Sequence, residues 1–170
     1  MASIAASELG LNFDHWCFAC GRANPAGLHL ELRFGPNRAE ATFTAERRHQ
    51  GYDGITHGGI VTALLDEVMG WAIFHQGIWA VTTRFALTLR RPVRVGEEVI
   101  ASGELTRDRG RGLEVRGEVR RAADGELLAS AEGTYVRMGE AQRRAMIERY
   151  GDPRPALARL AVALNGERSE

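Results

Sequence analysis

The residues best suited to chemistry cluster in one stretch. His57-Gly58-Gly59 opens a run in which Ile60, Val61, Ala63, Leu64, Leu65, Val68, Met69, Trp71, Ala72, Ile73 and Phe74 occupy nearly every direction around a helix, and Asp66 and Glu67 stand inside it. A helix that is apolar on all sides must be enclosed. An ionised carboxylate in such a helix costs several kcal/mol unless it is paired or hydrogen-bonded. Two of them therefore point to a polar cavity, a subunit interface, an ion pair with an Arg such as Arg84, or a catalytic role. Glu67 lies about 100° around the helix from Asp66, so only one of the two need be catalytic.

The glycines at the helix start suit an anion or a polarised carbonyl oxygen. The first N–H groups of a helix have no intrahelical partner and sit at the positive end of its dipole, and Gly58 and Gly59 carry no side chain to keep a ligand away. A tight turn into the helix would need the same small residues. Residues 58 and 66 are eight positions apart, which is about 12 Å at ~1.5 Å per residue, too far for both to touch one carbonyl group. One chain therefore cannot assemble the pair. Two such helices running antiparallel across a two-fold axis bring Gly58 of one toward Asp66 of the other and create two equivalent sites.

Composition removes other chemistries. All 22 basic residues are Arg, so Lys nucleophiles, Schiff bases and a phosphate-loop Lys are excluded. Acidic and basic residues balance at 22 each, so no whole-chain field attracts nucleic acid or an anionic membrane. The first ten residues hold no Arg and no apolar run suited to a signal peptide, and the most apolar stretch is interrupted by Asp66 and Glu67; the expectation is a cytoplasmic chain with no membrane segment. Cys17 and Cys20 form a single C-x-x-C, half of a tetrahedral zinc site. They do not fall between a strand and a helix of a βαβ unit, so a redox motif is disfavoured.

The elements that must position these residues follow from turn signals and periodicity. Gly35-Pro36-Asn37, Gly96, Gly110 to Gly112 and Asp124-Gly125 divide the chain into short segments. Leu113, Val115, Gly117 and Val119 alternate with Glu114, Arg116, Glu118 and Arg120, the period of a sheet with one covered face. Noisier alternation marks residues 27–34, 38–44, 80–90, 98–107 and 126–137. With 170 residues, 44% of them apolar, the reading is an α+β fold in which about six antiparallel strands curl around one long buried helix over residues 58–76. Residues 1–138 would form this domain. Residues 139–170 would add a helical extension, from Glu140 to Tyr150 and from Ala156 to Leu164, ending at Asn165-Gly166.

The ordered combination of His57-Gly58-Gly59, Asp66 nine positions after the His, and Val81-Thr82-Thr83-Arg84-Phe85 leading into Arg90-Arg91-Pro92 resembles the hot-dog-fold acyl-CoA thioesterases of the phenylacetate-degradation (PaaI) type and related animal thioesterase-superfamily proteins. The resemblance runs from Cys17 to about Met138. It implies hydrolysis of acyl-CoA, with Gly58 as backbone donor to the thioester oxygen, Asp66 as the helix acid, Thr82 as the hydroxyl that orients water or the acid, and His57 polarising the carbonyl or fixing the loop. Thr83 is the neighbour on the opposite sheet face. Gly59, Gln50, Arg90, Arg91 and Arg111 are the expected substrate-binding residues, the arginines because coenzyme A carries phosphates. The chain departs from several relatives at Gly51, where they carry Asn; Gln50 and His49 stand beside it. The segment Cys17-Phe18-Ala19-Cys20-Gly21 with Asn24-Pro25-Ala26-Gly27-Leu28 is similar to one found in a subset of the family. A reduced thiol pair is favoured there over a zinc site completed by His15 or a second chain. No cofactor or metal is expected; a homodimer is required, and dimers could pair into a tetramer. A noncatalytic acyl-CoA sensor on the same fold is the alternative.

Overall fold

The computed structural model describes residues 4–166. In chain order these form β1 (Ile4–Ala5), β2 (Leu32–Gly35), β3 (Arg38–Thr44), α1 (Gly58–Phe74), β4 (Ala80–Leu89), β5 (Glu98–Arg109), β6 (Gly112–Arg121), β7 (Leu127–Arg137), α2 (Glu140–Tyr150) and α3 (Arg154–Gly166), with 3-10 turns at Ala6–Leu9 and Arg47–His49. The strands make one antiparallel sheet in the order β1-β2-β3-β5-β6-β7-β4. In β6 the apolar set Leu113, Val115 and Val119 is buried, as its alternation requires.

Seven strands replace the expected six because Ile4 and Ala5 pair with Phe34 and Arg33 at the sheet edge. The strand expected over 27–34 is confined to Leu32–Gly35. Its apolar residues are buried for another reason. His29 takes φ 49°, which interrupts the extended run, and the amides of Leu28 and Leu30 donate to the carbonyls of Phe18 and Ala19 in the C-x-x-C loop. Residues 27–31 thus pair with the N-terminal loop instead of a strand.

Helix α1 lies in the concave face of the sheet, with Val61, Leu64, Leu65, Val68, Met69, Ala72 and Ile73 buried. Glycine makes the close approach possible. Gly103 of β5 pairs with Gly117 of β6. A Cβ at Gly103 would stand 2.5 Å from the Val68 carbonyl oxygen and 2.7 Å from Met69 Cα, and one at Gly117 would stand 2.7 Å from Met69 Sδ. The helix backbone therefore rests on the strand backbone.

The two C-terminal helices differ. Helix α2 has no buried residue, whereas α3 places Ala156 and Leu160 in the main core and Arg159 donates to the Leu9 carbonyl. No helix among the described residues is long and apolar enough to cross a membrane. Strand β4 closes the far edge of the sheet and pairs only with β7, leaving Val81 and Leu89 about half exposed.

Gly103→Ala is expected to lower stability by about 1–3 kcal/mol through overpacking against the α1 backbone. Gly112→Ala, which meets nothing within 4 Å, should stay within about 0.5 kcal/mol of wild type in the same denaturant titration. Equal effects would remove the glycine contact as the determinant of helix depth.

Candidate active site

Asp66 emerges from α1 toward the β4 edge and is exposed in the protomer. Its Oδ1 accepts two hydrogen bonds, from Thr82 Oγ1 at 2.8 Å and from the Tyr135 hydroxyl at 3.2 Å. Its Oδ2 accepts none from the described residues. Burial, and next the charge of Asp66, raise the Tyr135 phenol above its ordinary range, so at neutral pH it remains a donor. Strand register explains the convergence: Thr82 and Tyr135 are cross-strand partners in β4 and β7. A bulge between Thr82 and Arg84 follows at once, and Thr83 Oγ1 turns to the Thr134 carbonyl at 3.0 Å. Of the two adjacent threonines, only Thr82 reaches the carboxylate.

At the other end of this stretch, His57 is the N-cap of α1. Its Nδ1 accepts the Gly59 amide at 2.9 Å, while the amides of Ile60 and Val61 take its carbonyl. The Gly58 amide has no partner among the described residues. It is left available beside the helix N-terminus, where donor groups carry partial positive charge. A Cβ at Gly58 would lie 3.3 Å from Leu89 Cδ1, so the last residue of β4 flanks this amide.

Gln50 is half-buried in the loop before α1, bridged to Thr56, with its Oε1 facing the Gly54 amide at 3.4 Å. Gly51 packs against His57; a Cβ there would be 3.2 Å from His57 Cδ2. His49 is buried, its Nδ1 accepting the Glu46 amide while Nε2 has no partner among the described residues, and burial holds its pKa down. Arg90 and Arg91 follow β4 at the Leu89 end, with both amides on the Leu128 carbonyl and Arg91 paired to Glu126 at 3.5 Å. Arg111 lies elsewhere. It lines an open groove with Val81, Thr83, Val136 and Gln142, on the sheet face opposite Thr82 and Tyr135.

The predicted residues thus fall into two groups within one protomer. Asp66 and Thr82 stand together, and His57, Gly58 and Gly59 stand together near Arg90 and Arg91. Arg111 joins neither. Tyr135 was not foreseen; its type and alternation mark a core strand residue, and only the β4–β7 register reveals its hydroxyl on Asp66. Neither acid pairs with Arg84. Glu67 is instead held by Trp71, whose indole N–H donates to Oε1 at 2.8 Å, and its Oε2 lies 3.9 Å from Cys17 Sγ. Burial pushes Glu67 up to about 7. Among the described residues, Cys17, Cys20 and Glu67 form the group able to hold a metal.

A family model described as the thioesterase superfamily matches residues 53–128, the span holding α1, β4, His57, Gly58, Asp66 and Thr82. Residues 53–128 carry the likeness to the thioesterase superfamily. The acyl-coenzyme A thioesterase THEM4 of Mus musculus is 23% identical over 121 residues, which are 69% of this chain and 52% of that protein. The chain therefore spans about half the length of the curated relatives it matches. A crystal structure of a thioesterase superfamily protein superimposes with a TM-score of 0.67 at 29% identity, covering 71% of this chain and 60% of that one. The PaaI protein of the E. coli phenylacetic acid degradation operon superimposes with a TM-score of 0.61 at 20% identity, covering 66% of this chain and 81% of that one. The curled sheet around a central helix is the hot-dog fold of these thioesterases.

His57→Ala removes the N-cap acceptor of the Gly59 amide and is expected to cost about 1 kcal/mol of unfolding free energy. An unchanged denaturation midpoint would show that the cap bond contributes nothing.

Proposed function

We propose that the chain hydrolyses acyl-CoA thioesters at two equivalent sites, each shared between the protomers of a homodimer. The observation that carries this reading is the course of β4 along α1. Leu89 flanks Gly58 at one end of the strand, and Thr82 holds Asp66 at the other. No strand among the described residues pairs with the outer edge of β4. Antiparallel pairing of β4 with its copy about a two-fold axis between Phe85 and Ala86 sets Thr82 opposite the partner's Leu89. Asp66 then faces the partner's Gly58, and the ~12 Å that separates the two groups in one chain no longer matters.

In this arrangement the thioester oxygen accepts the Gly58 amide of one subunit, which stabilises the negative charge that develops on attack. Asp66 of the other subunit acts through its uncommitted Oδ2, as base on the attacking water or as nucleophile. Thr82 and Tyr135, both on Oδ1, fix the carboxylate plane. The C–S bond breaks, the coenzyme A thiolate takes up the proton, and the acid is released. His57 keeps the Gly59 amide occupied and so leaves the Gly58 amide as the donor. Arg90 and Arg91, at the Gly58 end, meet the phosphates of coenzyme A; Arg111 serves only if the nucleotide crosses to the other sheet face. The similarity to a mouse acyl-coenzyme A thioesterase supports the substrate class. Gly51 favours a second reading, an acyl-CoA binding protein without turnover, because it offers no side-chain amide at the position where the family resemblance implies Asn.

The test separates these readings. Asp66→Asn is expected to lower kcat on acyl-CoA at least ~100-fold, and Thr82→Ala about tenfold, with thiol release as the measurement. Gly58→Pro removes the donor amide at the helix position that best accepts proline, and should lose about 100-fold or more. Mixing unfolded Asp66→Asn and Gly58→Pro chains and refolding them yields mixed dimers with one intact site. Activity should return to about a quarter of wild type, because half of the dimers are mixed. No recovery despite mixed dimers seen by mass spectrometry would exclude the shared site. Binding of acyl-CoA by wild type without thiol release would establish the noncatalytic reading.

A further inference from the structure

The N-terminal loop holds a second cluster that the proposed hydrolysis does not use. Cys17 and Cys20, both free thiols, meet Glu67 of α1, and the two sulfurs and a carboxylate oxygen all lie within 4.8 Å of one another. The distance from Cys17 Sγ to Glu67 Oε2 is 3.9 Å. Ligands at ~2.3 Å (sulfur) and ~2.1 Å (oxygen) from a tetrahedral zinc stand about 3.6 Å apart, so small shifts suffice to close this triangle on an ion. Among the described residues this is the one cluster of three or more such groups.

Two further features argue for a metal rather than a thiol pair alone. The loop is folded as a knuckle: the Gly21 amide donates to the Cys17 carbonyl at 3.0 Å. Gly21 has no room for a side chain, since a Cβ would stand 2.2 Å from the His15 carbonyl oxygen and 2.5 Å from the Cys17 nitrogen. The carboxylate is also aimed. Trp71 Nε1 takes Oε1 and leaves Oε2 turned toward the sulfurs, the outer-shell support that orients a metal-ligating carboxylate.

We propose that Cys17, Cys20 and Glu67 bind one zinc ion that fastens the N-terminal loop to α1, with solvent at the fourth position. Two thiolates select zinc over magnesium or calcium. His15 does not complete the set, because neither of its ring nitrogens lies within 4.8 Å of all three of these ligand atoms. The fourth position opens through Cys17, which is only half-buried. The site is structural. Asp66 leaves the helix about 100° away toward β4, so the ion touches no group used in the proposed hydrolysis. It would tie the loop to the helix, whereas the backbone bonds of Phe18 and Ala19 tie the loop to Leu28 and Leu30.

The full chain, produced in zinc-supplemented medium and purified without chelator, should carry about one zinc per chain by elemental analysis. Cobalt(II) substitution should give thiolate charge-transfer bands and the visible bands of a tetrahedral site. Cys17→Ser and Cys20→Ser should each abolish these bands. Glu67→Gln keeps the acceptor for Trp71 and should weaken zinc at least about tenfold in a competition titration. If the serine variants fail to fold, chelation of the wild type supplies the measurement: zinc leaves, the melting temperature falls, and protease cuts within residues 11–30. Zinc well below stoichiometry with both thiols open to a thiol reagent, a native Cys17–Cys20 disulfide, or zinc affinity unchanged in Glu67→Gln would each overturn the site. Thiol release from acyl-CoA is read separately, so loss of the metal and loss of hydrolysis are distinguishable.

Discussion

Asp66 and Glu67 are consecutive, so their side chains leave α1 about 100° apart, and nothing in the fold can bring both to one place. Everything around the helix answers to that divergence. Asp66 goes to the β4–β7 corner, where Thr82 and Tyr135 meet it. Glu67 goes to the N-terminal loop, where Trp71 and the cysteines meet it. Met69 points into the sheet, over the glycines. The depth of the helix sets whether the Asp66 contacts exist at all. A side chain at Gly103 would lift the α1 backbone at Val68 and Met69, and lengthen the reach from Asp66 to the Tyr135 hydroxyl.

The donors on Asp66 are neutral hydroxyls, although the chain has 22 arginines. A guanidinium beside a carboxylate stabilises the anion and weakens it as a base, whereas a hydroxyl orients it at much smaller electrostatic cost to its basicity. The arginines are used elsewhere. Arg121 joins Glu97, Asp124 and Glu126 at the end of β6, Arg137 meets Asp108, and Arg109 meets Glu114, all at the sheet margin. Arg121 and Glu97 are half-buried, and the more exposed of these pairs contribute little to stability. Their placement keeps cationic charge out of the Asp66 corner.

Much of this was legible in the sequence for identifiable reasons. The all-round apolar pattern of residues 60–74 required an enclosed helix, and the alternation of β6 required a sheet with one covered face. The spacing of Gly58 and Asp66 alone stated that one chain cannot join them. What stayed hidden depends on register and on contacts distant in sequence. Tyr135 is 69 positions from Asp66, and Glu67 is 50 from Cys17. A local pattern carries no information about either meeting. The strand expected over 27–34 failed for a related reason: Leu28 and Leu30 alternate like strand residues, but their partner is the loop at Phe18 and Ala19.

The edges of the sheet carry the last step. At one end β1 is two residues long and offers almost no template. At the other, β4 runs for ten residues, and its stretch from Phe85 to Leu89 is apolar apart from Thr88. Long apolar edges in monomers invite uncontrolled pairing and are usually blunted by charge, proline or a bulge. Here the bulge sits only near Thr82, and Arg84, Arg90 and Arg91 flank the apolar stretch without entering it. The same strand lies along α1 from Gly58 to Asp66. In the dimer proposed above a second copy covers this edge, so that one pairing removes the aggregation template and brings together the two halves of the proposed site.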